Sequence, residues 1–118
     1  MSKINTHRQL DIWKKSIELV KDVYKVTSNF PQQELYGLTN QMRRSAVSIP
    51  SNVAEGFRRQ HNNEFRQFLH IALGSCAELE TQVTIAKELN YIKEQIESML
   101  LEKSDHICRM TRNLIKKL

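Results

Sequence analysis

The chain has 118 residues, of which 40% are hydrophobic, and a formal net charge of +5, so we expect residues 1–118 to form a single domain with one core. Three Gly and two Pro are too few turn residues for a β-rich fold, and they favour a few long helices. No apolar run approaches the roughly 20 residues that span a bilayer, and the N-terminus lacks the apolar segment of a signal peptide, so we expect a cytoplasmic protein without membrane association.

The first predicted helix spans about residues 8–29, and its apolar side chains fall in two stripes. One stripe runs from Leu10 to Tyr24 at spacings of three and four residues. The other is rotated by roughly 130°, so the apolar arc is about 180° wide where about 100° is usual. A helix with so wide an arc needs packing partners on two sides. The second stripe consists of Ile12, Leu19, Val23, Val26 and Phe30.

The second predicted helix spans about residues 34–57 and contains Pro50. Its apolar residues keep their helical phase from Leu35 to Phe57 on both sides of this proline. Proline removes one backbone hydrogen bond inside a helix and bends it. We therefore predict one helix kinked at Pro50 instead of two separate helices.

The third and fourth predicted helices span about residues 62–89 and 92–117. The third begins at Asn62, a residue type that caps helices, and Glu64 in its first turn suits the helix N-terminus. The fourth has a thin second apolar stripe at heptad spacing, formed by Leu101, Cys108 and Ile115. Four such helices with short connections predict an all-α fold, an antiparallel up-and-down four-helix bundle.

The extra apolar stripes of the first and fourth helices exceed what a lone bundle is expected to bury. Exposed apolar stripes usually mark an interface, so we predict a homo-oligomer. The interface residues would be Ile12, Leu19, Val23, Val26, Leu101, Cys108 and Ile115.

Motifs for catalysis, cofactors and metals are missing from the sequence. It contains no glycine-rich nucleotide loop and no Glu-x-x-His pair of a di-iron bundle. The two cysteines, Cys76 and Cys108, are too few and too far apart for a zinc cluster, and we expect them to be reduced thiols. We therefore predict a protein that is not an enzyme and has no cofactor and no metal.

Glu80 is an unusual polar residue because it falls on the apolar arc of the third helix. Lys103 falls on the apolar arc of the fourth helix at a similar distance from the turn between them, and Arg43 at the edge of the second helix is a second possible partner. A lone buried charge is costly. We interpret Glu80 as half of a structural ion pair with Lys103 or Arg43, and a catalytic acid is the less favoured alternative.

Positive charge is concentrated in two parts of the chain. Residues 1–60 carry ten Lys/Arg and five Asp/Glu, and residues 106–118 carry four Lys/Arg and no acid. Arginine binds phosphate oxygens through its bidentate fork. We predict that an arginine cluster binds the backbone of RNA or DNA, and the alternatives are a merely solvated helix end or a protein-interaction scaffold. The predicted nucleic-acid-binding residues are Arg44, Arg58, Arg59 and Arg66.

Three segments resemble one bacterial family. They are LDIWKK at residues 10–15, YGLTNQMRRSAVSIPSNVAEG at residues 36–56, and FLHIALGSCAELETQ at residues 68–82. They resemble the four-helix-bundle family encoded in intervening sequences of large-subunit ribosomal RNA genes, and the resemblance covers nearly the whole chain. That family includes the accessory variability determinant of diversity-generating retroelements, a basic pentamer that binds nucleic acid and a reverse transcriptase. The resemblance implies a homopentamer, with RNA or DNA and a reverse transcriptase as partners.

Overall fold

The computed structural model describes residues 3–118, and within this range the chain forms four α-helices and no β-strand. Helix α1 spans Asp11–Thr27, α2 spans Leu38–Arg58, α3 spans Asn62–Glu88, and α4 spans Glu94–Lys117. Each helix packs against the helices before and after it, and α1 also packs against α4. The resulting bundle measures 46 × 25 × 20 Å, so the prediction of an all-α four-helix bundle is confirmed.

The core is built by all four helices. The contact between α2 and α3 is the most extensive, and the contact between α1 and α4 is the least extensive of the four. The largest fully buried side chains come from every helix and include Leu19, Met42, Ile49, Leu69, Leu79, Leu100 and Ile107.

Short 3-10 turns precede α1 and α2, so both helices begin later than the sequence predicts. The Thr6 side chain and the Gln9 side chain form a capping box around a 3-10 turn at His7–Gln9, and α1 begins only after an extended Leu10. A second 3-10 turn at Gln32–Glu34 delays the start of α2 to Leu38.

At α3 the N-cap residue is His61, which makes no side-chain capping bond. The predicted Asn62 cap is therefore wrong, because Asn62 is already the first helical residue.

Helix α2 continues without interruption through the buried Pro50. The prediction of one helix in this region is confirmed, and the kink at Pro50 stays a prediction. Both later turns use a residue in the left-handed backbone region, Gln60 with φ 62° and Asn90 with φ 63°. Asn tolerates this conformation better than other non-glycine residues, so Gln60 is the less favourable of the two.

The structure corrects four of the seven residues of the predicted oligomer interface. Ile12, Leu19, Val23 and Cys108 are buried in the core of the single chain. The physical reason is that α1 lies between α2 and α4, so these two neighbours together cover its wide apolar arc. Val26, Leu101 and Ile115 are partly buried and pack against the same core.

Candidate functional site

Lys and Arg side chains are concentrated at one end of the bundle. One concave surface is lined by the N-terminal segment, the α2–α3 turn and the residue that follows α4, and it includes Lys3, Phe57, His61 and Leu118. We define the basic end as residues 3–11, 55–66 and 106–118. These three segments contain nine Lys/Arg and three Asp/Glu, a net charge of +6.

The opposite end of the bundle is acidic. There the connection before α2 contacts the α3–α4 turn. The Tyr91 hydroxyl donates a hydrogen bond of 2.8 Å to Glu34 Oε2. The Phe30 and Tyr91 rings also pack together with centroids 5.4 Å apart. Residues 22–39 and 78–102, which we call the acidic end, contain three Lys/Arg and eight Asp/Glu, a net charge of −5. Charge is therefore separated along the long axis of the molecule.

Arg58 is the least neutralised of the predicted arginines at the basic end. It is exposed, and among residues 3–118 no carboxylate forms a salt bridge with it, since the salt bridges found involve other cations. The positive charge of Arg58 also acts on the imidazole of His7 in the N-terminal segment. Burial, followed by the charges of Arg8 and Arg58, lowers the pKa of His7, which places three basic groups close together.

Arg59 and Arg66 have local partners. The Arg59 guanidinium lies 3.6 Å from Glu55 and 4.0 Å from Glu64, and it stands 5.1 Å from the Phe68 ring centroid. Arg66 Nη1 donates a 2.7 Å hydrogen bond to Asn63 Oδ1. Exposed pairs of this kind contribute at most about 1 kcal/mol, so both cations can exchange their partners for a phosphate.

Arg44 is not part of the basic end. It lies 14 residues before Arg58 on the same helix, roughly 20 Å away along the helix axis. The structure therefore brings together three of the four predicted arginines. It also adds cations that were not assigned to the site from the sequence, namely Lys3, Arg8, Arg109, Arg112, Lys116 and Lys117.

Glu80 does not form the predicted ion pair. Its Oε2 atom accepts a 2.7 Å hydrogen bond from Ser104 Oγ and lies 3.9 Å from Cys108 Sγ. Lys103 instead pairs with Asp22 of α1, and Arg43 Nε donates a 2.9 Å hydrogen bond to Thr27 Oγ1. The structural ion pair predicted for Glu80, Lys103 and Arg43 is therefore wrong.

Apolar side chains are exposed along the outer side of α3. Ile71, Ile85 and Leu89 are 51%, 43% and 50% exposed. Ile71, Glu78 and Ile85 repeat every seven residues, and Gly74 lies between the first two with no atom near its Cβ position. Residues at this spacing share one side of a helix. We call Ile71, Gly74, Glu78 and Ile85, with Leu89 directly after the helix, the α3 outer stripe.

Other kinds of site are not found in the described part of the chain. Residues 3–118 contain no group of three or more His, Cys, Asp or Glu side chains placed to hold a metal ion. No helix in that range is long and apolar enough to cross a membrane.

Comparison with known proteins agrees with this architecture. The sequence model of a family described as 23S rRNA-intervening sequence protein matches residues 8–113. The fold is similar to the crystal structure of a protein with unknown function from the S23 ribosomal protein family of Bacteroides thetaiotaomicron. That similarity has a TM-score of 0.80 and 26% sequence identity, and it covers 89% of this chain and 98% of the other. Among curated proteins, none matches this sequence significantly.

Proposed function

Because the chain belongs to the 23S rRNA-intervening sequence protein family, we propose that it is a non-enzymatic, self-associating bundle that binds the backbone of RNA or DNA. The observation that carries the proposal is the basic end, where folding joins three segments into a surface with a net charge of +6. A polyanion that contacts several Lys and Arg side chains releases condensed counterions, which favours binding at low salt. No base-reading motif is needed for contacts of this kind.

The proposed contact residues differ from the sequence-based set. Arg58 is the central residue, because it is exposed and forms no salt bridge with any of residues 3–118. Arg59 and Arg66 act beside it once their local partners are displaced. Cations of the N-terminal segment and of the C-terminal half of α4 extend the basic surface. Arg44 is too far along α2 to contact the same phosphates.

A binding assay with labelled single-stranded RNA and double-stranded DNA tests this proposal. Arg58→Glu together with Arg112→Glu should weaken binding at least about tenfold and reduce the salt dependence. The matched control is Lys21→Glu with Lys25→Glu, which changes the net charge equally on exposed positions of α1. The proposal is refuted if no binding occurs at low salt, or if both double variants lose binding equally.

Self-association is the second part of the proposal, and the α3 outer stripe supports it. Apolar residues repeated along an exposed helix favour contact with another protein surface. The pentamer implied by the family resemblance is the assembly we propose. Ile71→Glu with Ile85→Glu should shift the sedimentation coefficient to that of a monomer. The control Thr84→Glu adds charge at an exposed α3 position outside the stripe, and it should leave the assembly unchanged.

A protein-interaction scaffold is the second candidate function, and the same stripe favours it. In that case the stripe would contact a different protein, and a reverse transcriptase is the partner that the resemblance implies. Affinity capture of the chain with and without nuclease separates the two functions. Recovery of one protein that survives nuclease, together with no nucleic-acid binding, would favour the scaffold.

A further inference from the structure

The protein contains two cysteines, and folding places both at one site between α3 and α4. Cys76 and Cys108 are 1% and 6% exposed and belong to the same core. Glu80, one helical turn after Cys76, contacts both Ser104 and Cys108 on α4. Cys76 lies one turn before Glu80 on α3, and Cys108 lies one turn after Ser104 on α4. Because the two helices run antiparallel, Cys76 therefore lies opposite Cys108.

The helix geometry suits a covalent link at this position. Packed helices lie about 8–10 Å apart, and Cα atoms stand about 2.3 Å from each axis. Two Cα atoms that face each other across such a contact are therefore roughly 3.5–5.5 Å apart. A disulfide requires about 4.4–6.8 Å between Cα atoms. The hydrogen bond between Ser104 and Glu80 fixes the register of the two helices one turn away.

The two thiols influence each other directly. The neighbouring Cys108 thiol and burial raise the pKa of Cys76, and the neighbouring Cys76 thiol lowers the pKa of Cys108. Cys108 is also the more exposed residue of the pair, so a reagent from solvent reaches it first.

We propose that Cys76 and Cys108 form a reversible intramolecular disulfide when the protein meets a hydroperoxide, so that this site is a redox-modification site joining α3 to α4. The Cys108 sulfur attacks the peroxide oxygen and the O–O bond breaks. A sulfenic acid forms, and the other oxygen leaves as water from hydrogen peroxide or as the alcohol from an alkyl hydroperoxide. Cys76 then attacks the Cys108 sulfur, the S–O bond breaks, and a disulfide and water form. The two thiols lose two electrons and two protons in total, and the hydroperoxide accepts them.

This modification does not depend on nucleic-acid binding, and it is tested on the full chain. Reduced protein is treated with hydrogen peroxide, quenched with catalase, denatured and alkylated. The expected product is a monomeric chain lighter by two hydrogens that takes up no alkyl group and recovers both thiols with dithiothreitol. The link closes a loop of about 30 residues, so the melting temperature should rise by roughly 10 °C.

Two single substitutions assign the order of events. Cys76→Ser should trap a sulfenic acid at Cys108 that dimedone labels, because the second thiol is missing. Cys108→Ser should leave Cys76 unlabelled over the same time. The proposal is overturned if the treated native protein still takes up two alkyl groups. It is equally overturned if the sulfurs gain only oxygen atoms, or if the link joins two chains on a non-reducing gel.

Discussion

Gly56 lies where α2 packs closely against α3, and its replacement by alanine should destabilise the protein. A Cβ atom at this position would stand 2.6 Å from Phe68 Cβ and 3.1 Å from Phe65 Cδ1. Ordinary contacts begin near 3.4 Å, so α2 and α3 would have to separate locally by about 0.8 Å. The Phe68 Cβ atom is fixed to its backbone and cannot rotate away.

The size of the effect follows from two opposing terms. Overpacking of a core costs about 1–3 kcal/mol, and the upper part of that range applies because the clash is with a Cβ atom. Alanine gains about 1 kcal/mol over glycine in helix propensity. We expect a net loss of about 2 kcal/mol in the free energy of unfolding for Gly56→Ala, or roughly 8 °C in melting temperature.

Gly74 provides the matched control on α3. Apart from the adjacent backbone of the same helix, no atom of residues 3–118 lies within 4 Å of its Cβ position. Gly74→Ala should therefore keep the propensity gain and stabilise the protein by about 0.5–1 kcal/mol. Thermal and urea unfolding of both variants give the comparison, and sedimentation confirms that each keeps the wild-type assembly. A Gly56→Ala variant as stable as Gly74→Ala would refute the close approach of the two helices.

Three further predictions concern single side chains. Glu80→Ala should lower the free energy of unfolding by about 1–2 kcal/mol because the buried Ser104 hydroxyl loses its half-buried acceptor. Glu88→Ala at an exposed position should have little effect in the same melting experiment. Gln60→Gly should raise the stability by about 0.5–1 kcal/mol by relieving the left-handed backbone, and an unchanged urea midpoint would contradict this. The pKa of His7 is lowered in the folded state, so the unfolded chain binds that proton more readily and stability should fall as the pH drops below 6.5. His7→Gln should flatten this part of the stability profile measured by unfolding from pH 8 to 5.

The helices could be predicted from the sequence because their apolar residues keep one period over many turns. The phase across Pro50 correctly indicated a single α2. The helix starts could not be placed as well, because they depend on local hydrogen bonds such as the Thr6 capping box. These bonds compete with the helix and leave the apolar period unchanged.

The errors at the candidate site have a geometric origin. Neighbouring helical residues point about 100° apart, and this decides whether Lys103 or Ser104 faces α3. Lys103 faces α1 and binds Asp22, while Ser104 takes the place opposite Glu80. The wide apolar arc of α1 was assigned to an oligomer because its second partner, α4, is distant in the sequence. The basic end could be predicted only in part for the same reason, because the three segments that form it are far apart in the sequence.

The separation of charge along the bundle comes from side chains alone. In an antiparallel bundle the macrodipoles of neighbouring helices point in opposite directions and largely cancel. The +6 and −5 ends therefore act as an electric dipole carried by exposed Lys, Arg, Asp and Glu, most of which contribute nothing to the core. A polyanion approaching from a distance would rotate the molecule so that its basic end arrives first. This orientation can be strengthened, reversed or screened by a few surface substitutions or by salt, while the fold stays the same.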